Sequence, residues 1–163
     1  MNSHFWKEEV CRKIDENREE LFETVRALSR MPELGFKEYR TSRFVEEKLK
    51  GLGLSCETGL AKTGLRASVK GKESRRNIAI IGELDAVISP SHPEAAEETG
   101  AAHACGHHVQ LANMLGAAYG LMESGVMKEL CGDVTFLAVP AEEFVEIEYR
   151  RKLRENGEIC YLS

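Results

Sequence analysis

Two apolar runs separated by a helix-length segment constrain the fold of this chain more than any other feature. The first, NIAIIGELDAV (77–87), and the second, GDVTFLAVP (132–140), are almost continuous in hydrophobic residues, and Pro140 ends the second. Apolar residues at consecutive rather than alternate positions fit a strand covered on both faces by helices. Between the runs, HHVQLANMLGAAYGLMESG is rich in Ala, Leu and Met and reads as a helix from His107 to about Ser124, with Gly125 near its C-cap. A strand, a helix and a second strand in this order predict a right-handed βαβ crossover. In such a unit the functional loops lie at the carboxyl ends of the strands.

The flanking sequence extends this pattern. Phe5, Trp6, Val10, Ile14, Leu21, Val25 and Leu28 recur at spacings that predict one long amphipathic helix over residues 5–30, stopped by Pro32. A second helix is expected from about Lys37 to Leu52, with Phe44, Val45 and Leu49 inward. LSCET (54–58) and LRASVKG (65–71) read as short strands, and residues 88–102, with Pro90 and Pro93, as a loop. The tail reads as a short charged helix and then, at CYLS, the start of another strand. The expected fold class is therefore α/β: a three-layer domain with a mixed, mostly parallel sheet between helices. At 163 residues the chain suits a single domain.

Charge and cysteine usage narrow the function classes. A net charge of −5 leaves no basic footprint for nucleic acid or an anionic membrane surface. The first twenty residues are charged early and lack the apolar core of a signal peptide. No stretch approaches the ~18–20 apolar residues that a bilayer-spanning helix needs. Five cysteines, odd in number and widely spaced, fit reduced thiols in the cytoplasm. Cys56 and Cys131 lie in apolar runs and are expected in the core.

Cys105 stands apart. The stretch AAHACGHHVQ (101–110) holds three of the chain's five histidines around this one thiol. In an extended segment His103, Cys105 and His107 share one side. Imidazole nitrogen and thiolate sulfur both bind borderline-soft divalent ions such as zinc. Gly106 allows a tight turn, and the start of a helix at His107 favours thiolate over thiol and neutral over protonated imidazole. Ordinary polar histidines in a turn are the plainer alternative. Glu142 and Glu143 follow the second apolar run; adjacent carboxylates in extended chain point opposite ways, so one can ligate an ion while the other faces a water. A solvated charge pair is the alternative there. Asp85, at the end of the first run, can hold a ligating imidazole in one tautomer, or simply cap a loop.

Taken together, PELGFKEYRTS (32–42), GELDAV (82–87), HACGH (103–107) and PAEE (140–143) resemble the motifs of the M20 metallopeptidases and amidohydrolases, most closely the aminoacylase and aminobenzoyl-glutamate hydrolase-like branch. The resemblance covers essentially the whole chain and implies a zinc-exopeptidase-like fold. It implies Cys105, His107 and Glu143 as metal ligands, Glu142 as general base and Asp85 as an orienting residue of the catalytic site. His103 receives only a supporting role, and Glu83 and His108 stand where many members carry other residues. One or two divalent ions (Zn, Mn or Co) would serve hydrolysis of an amide bond in an N-acyl amino acid or dipeptide-like substrate. The resemblance also implies what is missing: a further ligating histidine after PAEE, a lid and dimerisation domain, and a last histidine near the C-terminus. The chain thus reads as the N-terminal part of a catalytic domain, truncated, with impaired activity, while the full-length form is expected as a homodimer.

Three other readings compete. The chain is a metal-binding remnant without catalysis; or Cys105 is a nucleophile with His107 as its base, although no oxyanion motif or third orienting group is evident. A zinc deaminase requires a P-C-x-x-C element, and none occurs.

Overall fold

A computed structural model describes residues 3–160. In chain order the elements are α1 (Ser3–Glu16), α2 (Arg18–Ser29), α3 (Tyr39–Gly51), β1 (Cys56–Leu60), β2 (Gly64–Val69), β3 (Asn77–Glu83), β4 (Val87–Ile88), β5 (Ala101–Ala102), α4 (His107–Ser124), β6 (Asp133–Val139) and α5 (Ile147–Glu155). Of the strand expected from CYLS (160–163), residues 161–163 lie outside the described residues.

The expected long first helix is two helices. Asn17 interrupts it, and its side-chain amide donates to the Lys13 carbonyl (3.0 Å) and to Glu123 on α4 (3.0 Å). The apolar spacing continues across the break, so periodicity alone could not reveal it. α4 is apolar on nearly every side because it is central. Val10 and Ile14 close on Gly120 and Leu21 on Gly116: a Cβ at Gly120 would lie 2.9 Å from each of the first two side chains. On its other side α4 meets the sheet, where Leu111 Cδ2 would stand 2.8 Å from a Cβ at Gly82.

The main sheet has the order β1-β2-β6-β3. β3 and β6 are parallel neighbours with α4 between them in sequence, as the βαβ pattern predicts. β6 also pairs with β2, and β2 with β1, both antiparallel. The sheet is mixed, but one ladder of three is parallel, so the parallel share is smaller than expected. Leu65, Ala67, Phe136, Ala138 and Ile80 line one face and join Val45 and Leu49 of α3 and Leu111, Met114 and Leu115 of α4 in the core.

The opposite face departs further from expectation. Arg66, Leu137 and Ile81 align across three strands there, and Ile81 is 49% exposed. β3 is therefore not sandwiched between helices among the described residues. Its apolar run records that both faces are suited to burial, not that this chain covers both. Cys131 is likewise exposed, because it sits in the turn before β6 rather than in the strand, whereas Cys56 packs partly buried against the core. Among the described residues no helix is long and apolar enough to cross a membrane.

Candidate metal centre

The parallel pairing of β3 with β6 sets the site. Glu83 faces Val139 in register, so the segments leaving both strands, 84–86 and 140–145, emerge side by side. β4 follows Asp85 and pairs antiparallel with β5, which immediately precedes His103. This short ladder brings HACGH back to the same end of the sheet. At Gly106 the chain turns with φ 107°, and a Cβ there would meet nothing within 4 Å. The glycine is needed for its backbone conformation, not for space. His107 then opens α4.

His107 is the centre of the cluster and is buried. Its Nδ1 lies 2.8 Å from the backbone carbonyl of Asp85 and 3.3 Å from Asp85 Oδ1. A carbonyl oxygen only accepts, so Nδ1 carries a hydrogen and Nε2 is the nitrogen that faces the cleft. Around Nε2 stand Glu83 Oε2 at 3.0 Å, Glu142 Oε2 at 3.7 Å and Glu143 Oε1 at 3.8 Å. Asp85 is fully buried and holds a second partner, accepting the Glu143 backbone N–H at Oδ2 (2.9 Å). One carboxylate just beyond β3 thus aligns an imidazole at the start of α4 and a carboxylate-bearing residue just beyond β6.

The donor set suits a divalent cation. Cys105 Sγ, a His107 ring nitrogen and a Glu143 carboxylate oxygen lie within 4.8 Å of one another, as do donor atoms of Glu83, His107 and Glu142. Ligands at ~2.0–2.3 Å from a tetrahedral ion stand ~3.3–3.8 Å apart, so small side-chain adjustments close either shell. Both groups use His107, which has one nitrogen left to give.

Before an ion binds, the electrostatics run against the field of the helix terminus. Instead of thiolate and neutral imidazole, the carboxylates favour the protonated forms. The hydrogen bond to Glu143 and the neighbouring Glu142 and Glu83 push the Cys105 thiol up to about 11. The Asp85 side chain, its backbone carbonyl and Glu83 raise His107 to about 9. Several full negative charges at contact distance outweigh the half charge of a helix terminus. Desolvation and the nearby Glu83 and Glu143 also raise Glu142. His103 behaves oppositely: burial, with His108 and His107 beside it, lowers it to about 4. Its ring lies 5.1 Å from that of His108 and makes neither group of donors, so both histidines stand beside the cluster rather than in it.

Sequence reasoning missed Glu83 as a member of this cluster. The available signal was its place two residues before Asp85 at a strand end, on the alternation that points it toward the same mouth.

No family model matches the chain. Relatives nevertheless do. It is 34% identical over 142 residues to an N-acyl-L-amino acid amidohydrolase of Geobacillus stearothermophilus, covering 84% of this chain and 37% of that protein. It is 32% identical over 142 residues to thermostable carboxypeptidase 2 of Saccharolobus solfataricus, covering 85% and 32%. Among solved structures, the Bacillus subtilis YXEP protein, a dinuclear metal-binding peptidase, superposes with a TM-score of 0.69 at 32% identity, over 88% of this chain and 40% of that one. The chain thus spans about a third of the length of the relatives it matches in sequence. With this sequence likeness, this backbone likeness and a cation-ready cluster at the strand mouths, the homologues and structural neighbours of the chain are metallopeptidases and amidohydrolases of the M20 family, matched over part of their length.

Proposed function

We propose that this chain carries part of the active centre of a metal-dependent amidohydrolase that cleaves N-acyl amino acids or dipeptide-like amides. The convergence of Cys105, His107 and Glu143 donor atoms within 4.8 Å is the observation that carries the reading. The relatives named for acyl-amino-acid and peptide cleavage support the substrate class.

Cys105, His107 and Glu143 would hold the ion, with Glu83 as an alternative carboxylate ligand at His107 Nε2. When bound, a divalent ion supplies Lewis acidity to a water and to an amide carbonyl. The rest follows from the chain's own groups. Asp85 keeps His107 in the Nδ1–H tautomer. Glu142 has a half-exposed side chain and lies 3.7 Å from Nε2, which would leave it beside a bound ion yet open to substrate. Its raised pKa suits it to take a proton from the attacking water and return it to the leaving amine nitrogen. Five cysteines, all unpaired, fit a cytoplasmic setting.

One observation favours a second reading, an ion-binding unit that does not turn over by itself. Among the described residues both donor groups draw on the one imidazole of His107, so the chain offers few donors for a second ion. The readings separate in one experiment. Cobalt(II) or zinc is titrated into the purified chain, and hydrolysis of N-acetyl amino acids is then followed. Binding with Glu142-dependent turnover supports the hydrolase. Binding without turnover supports the second reading, and no binding refutes both.

A further inference from the structure

The stretch PELGFKEYRTS contributes no donor to the metal centre, yet it packs against the loop that carries Glu142 and Glu143. A Cβ placed on Gly35 would stand 2.9 Å from Ala141 Cβ and 2.9 Å from Arg150 Nη2, so the two segments touch backbone to loop. Glu38, at the start of α3, is fully buried, an unusual place for a carboxyl. Its Oε1 accepts the Ala141 backbone N–H (2.8 Å), and its Oε2 is bonded to the Thr63 hydroxyl (2.6 Å).

Arg150 reaches the same loop from α5 and is 1% exposed. It donates to the carbonyls of Val145 (2.8 Å) and Ala141 (3.1 Å), and also to that of Glu143. Phe36 and Phe144 lie against its guanidinium at 5.2 and 5.5 Å. Both halves of the Ala141 peptide environment are therefore held, its N–H by Glu38 and its C=O by Arg150. Ala141 needs holding: its φ is 57°, in the left-handed region that a residue with a Cβ rarely adopts. A strained residue directly before two functional carboxylates persists only where its surroundings over-determine it.

Resting on the function proposed above, we propose that Glu38 and Arg150 are positioning residues that clamp loop 140–145 in the backbone conformation that aims Glu142 and Glu143 at the ion. Neither touches ion or substrate; each acts through the Ala141 peptide and the carbonyls that follow it. The clamp requires hydrogen bonds, not charge, from Glu38. A glutamine there accepts from Ala141 N–H with its oxygen and donates to Thr63 Oγ with its nitrogen. The clamp requires several divergent donors from Arg150, which a lysine ammonium cannot reproduce.

The test uses the full chain and two readouts: amide hydrogen exchange of the 141–145 segment without metal, and cobalt(II) affinity with its thiolate-to-metal absorption band. Glu38→Ala and Arg150→Met are expected to speed exchange of this segment at least ~10-fold and to weaken cobalt binding about 10- to 100-fold, the range for partners that orient ligands. Glu38→Gln restores both, whereas Arg150→Lys does not. If Glu38→Ala fails to fold, Arg150→Met and Arg150→Lys, which retain the aliphatic stem, carry the test. Asp133→Asn, in a distant cluster with Lys70 and Ser74, controls for general destabilisation and leaves cobalt affinity unchanged. Folded variants with wild-type exchange and cobalt affinity overturn the clamp. Faster exchange in a chain whose wild type binds no cobalt upholds the clamp and overturns the metal-site reading instead.

Discussion

Loading the metal centre should expel two protons per ion near neutral pH. The Cys105 thiol is pushed up to about 11 and the His107 imidazole up to about 9, so at pH 7 both are protonated. An ion takes up thiolate and neutral imidazole, so each ligand sheds one proton on binding. The sign follows from the direction of the shifts: the binding-competent forms are the deprotonated ones, both raised pKa values lie above 7, and apparent affinity falls as pH falls. Two released protons give a change of about 100-fold per pH unit below 9, and one gives about 10-fold between 9 and 11. Isothermal titration with zinc or cobalt(II) in phosphate, HEPES and Tris at pH 7 counts the protons from the dependence of observed heat on buffer ionisation heat. If the helix terminus controlled the site instead, His107 would be neutral at pH 7 and only the thiol proton would leave. A count of one or fewer therefore refutes the electrostatic argument. Asp85→Asn removes the largest cause of the His107 shift while keeping an acceptor for Glu143 N–H. It should lower the count toward one at pH 7.5.

Other expectations follow from the same geometry. Cys105→Ser or His107→Ala should weaken cobalt binding by ~100-fold or more, while Glu142→Gln leaves it within about threefold, because only the first two supply indispensable donors; equal losses in all three would remove Glu142 from its role as base. Gly120→Ala places a methyl 2.9 Å from Val10 and Ile14 side-chain carbons. Overpacking of about 1–3 kcal/mol should exceed the ~1 kcal/mol gain in helix propensity. The urea midpoint should fall, and a rise would mean that α1 does not press on α4 as described. Ile81→Lys, on the open sheet face, should cut binding of the dye ANS and self-association with stability changed by less than about 0.5 kcal/mol. Unchanged dye binding would show that this face is not the apolar surface being sensed.

The parts of the fold that local pattern governs were legible. β3, α4 and β6 lie where two apolar runs and an Ala/Leu-rich segment put them, and α4 ends at Gly125 with φ 75°. Their parallel pairing then explains why motifs more than fifty residues apart meet: GELDAV and PAEE leave adjacent strands at the same end. What was not legible depends on partners distant in sequence. Nothing local says that β6 inserts between β2 and β3, which sets an antiparallel ladder beside the parallel one. Nothing in an apolar strand says whether its second face is covered by the same chain. Glu38 and Arg150 were hidden for a related reason. Each sits in a charged stretch, KEYR and EYRRKLRE, that reads as solvated surface until the fold turns one member inward.

Before an ion binds, the ligands are held in protonated forms for a reason that bears on how the centre works. From sequence, the only field in view was that of the helix starting at His107, which favours thiolate and neutral imidazole. The fold adds Glu83, Glu142 and Glu143 around one Nε2, with buried Asp85 behind the ring. Packing that many carboxylates together is unfavourable unless positive charge joins them. With no ion, protons on Cys105 and His107 are the nearest positive charge available, which is why both groups shift upward. A divalent cation supplies the same compensation more strongly and displaces those protons. The carboxylate crowding thus has opposite effects at two stages: it keeps the soft ligands protonated before an ion arrives, and it is what draws in the ion that deprotonates them. Removing the carboxylate nearest Nε2, as in Glu83→Gln, should therefore lower the His107 pKa and cobalt affinity together, and a change in only one of them would break that link.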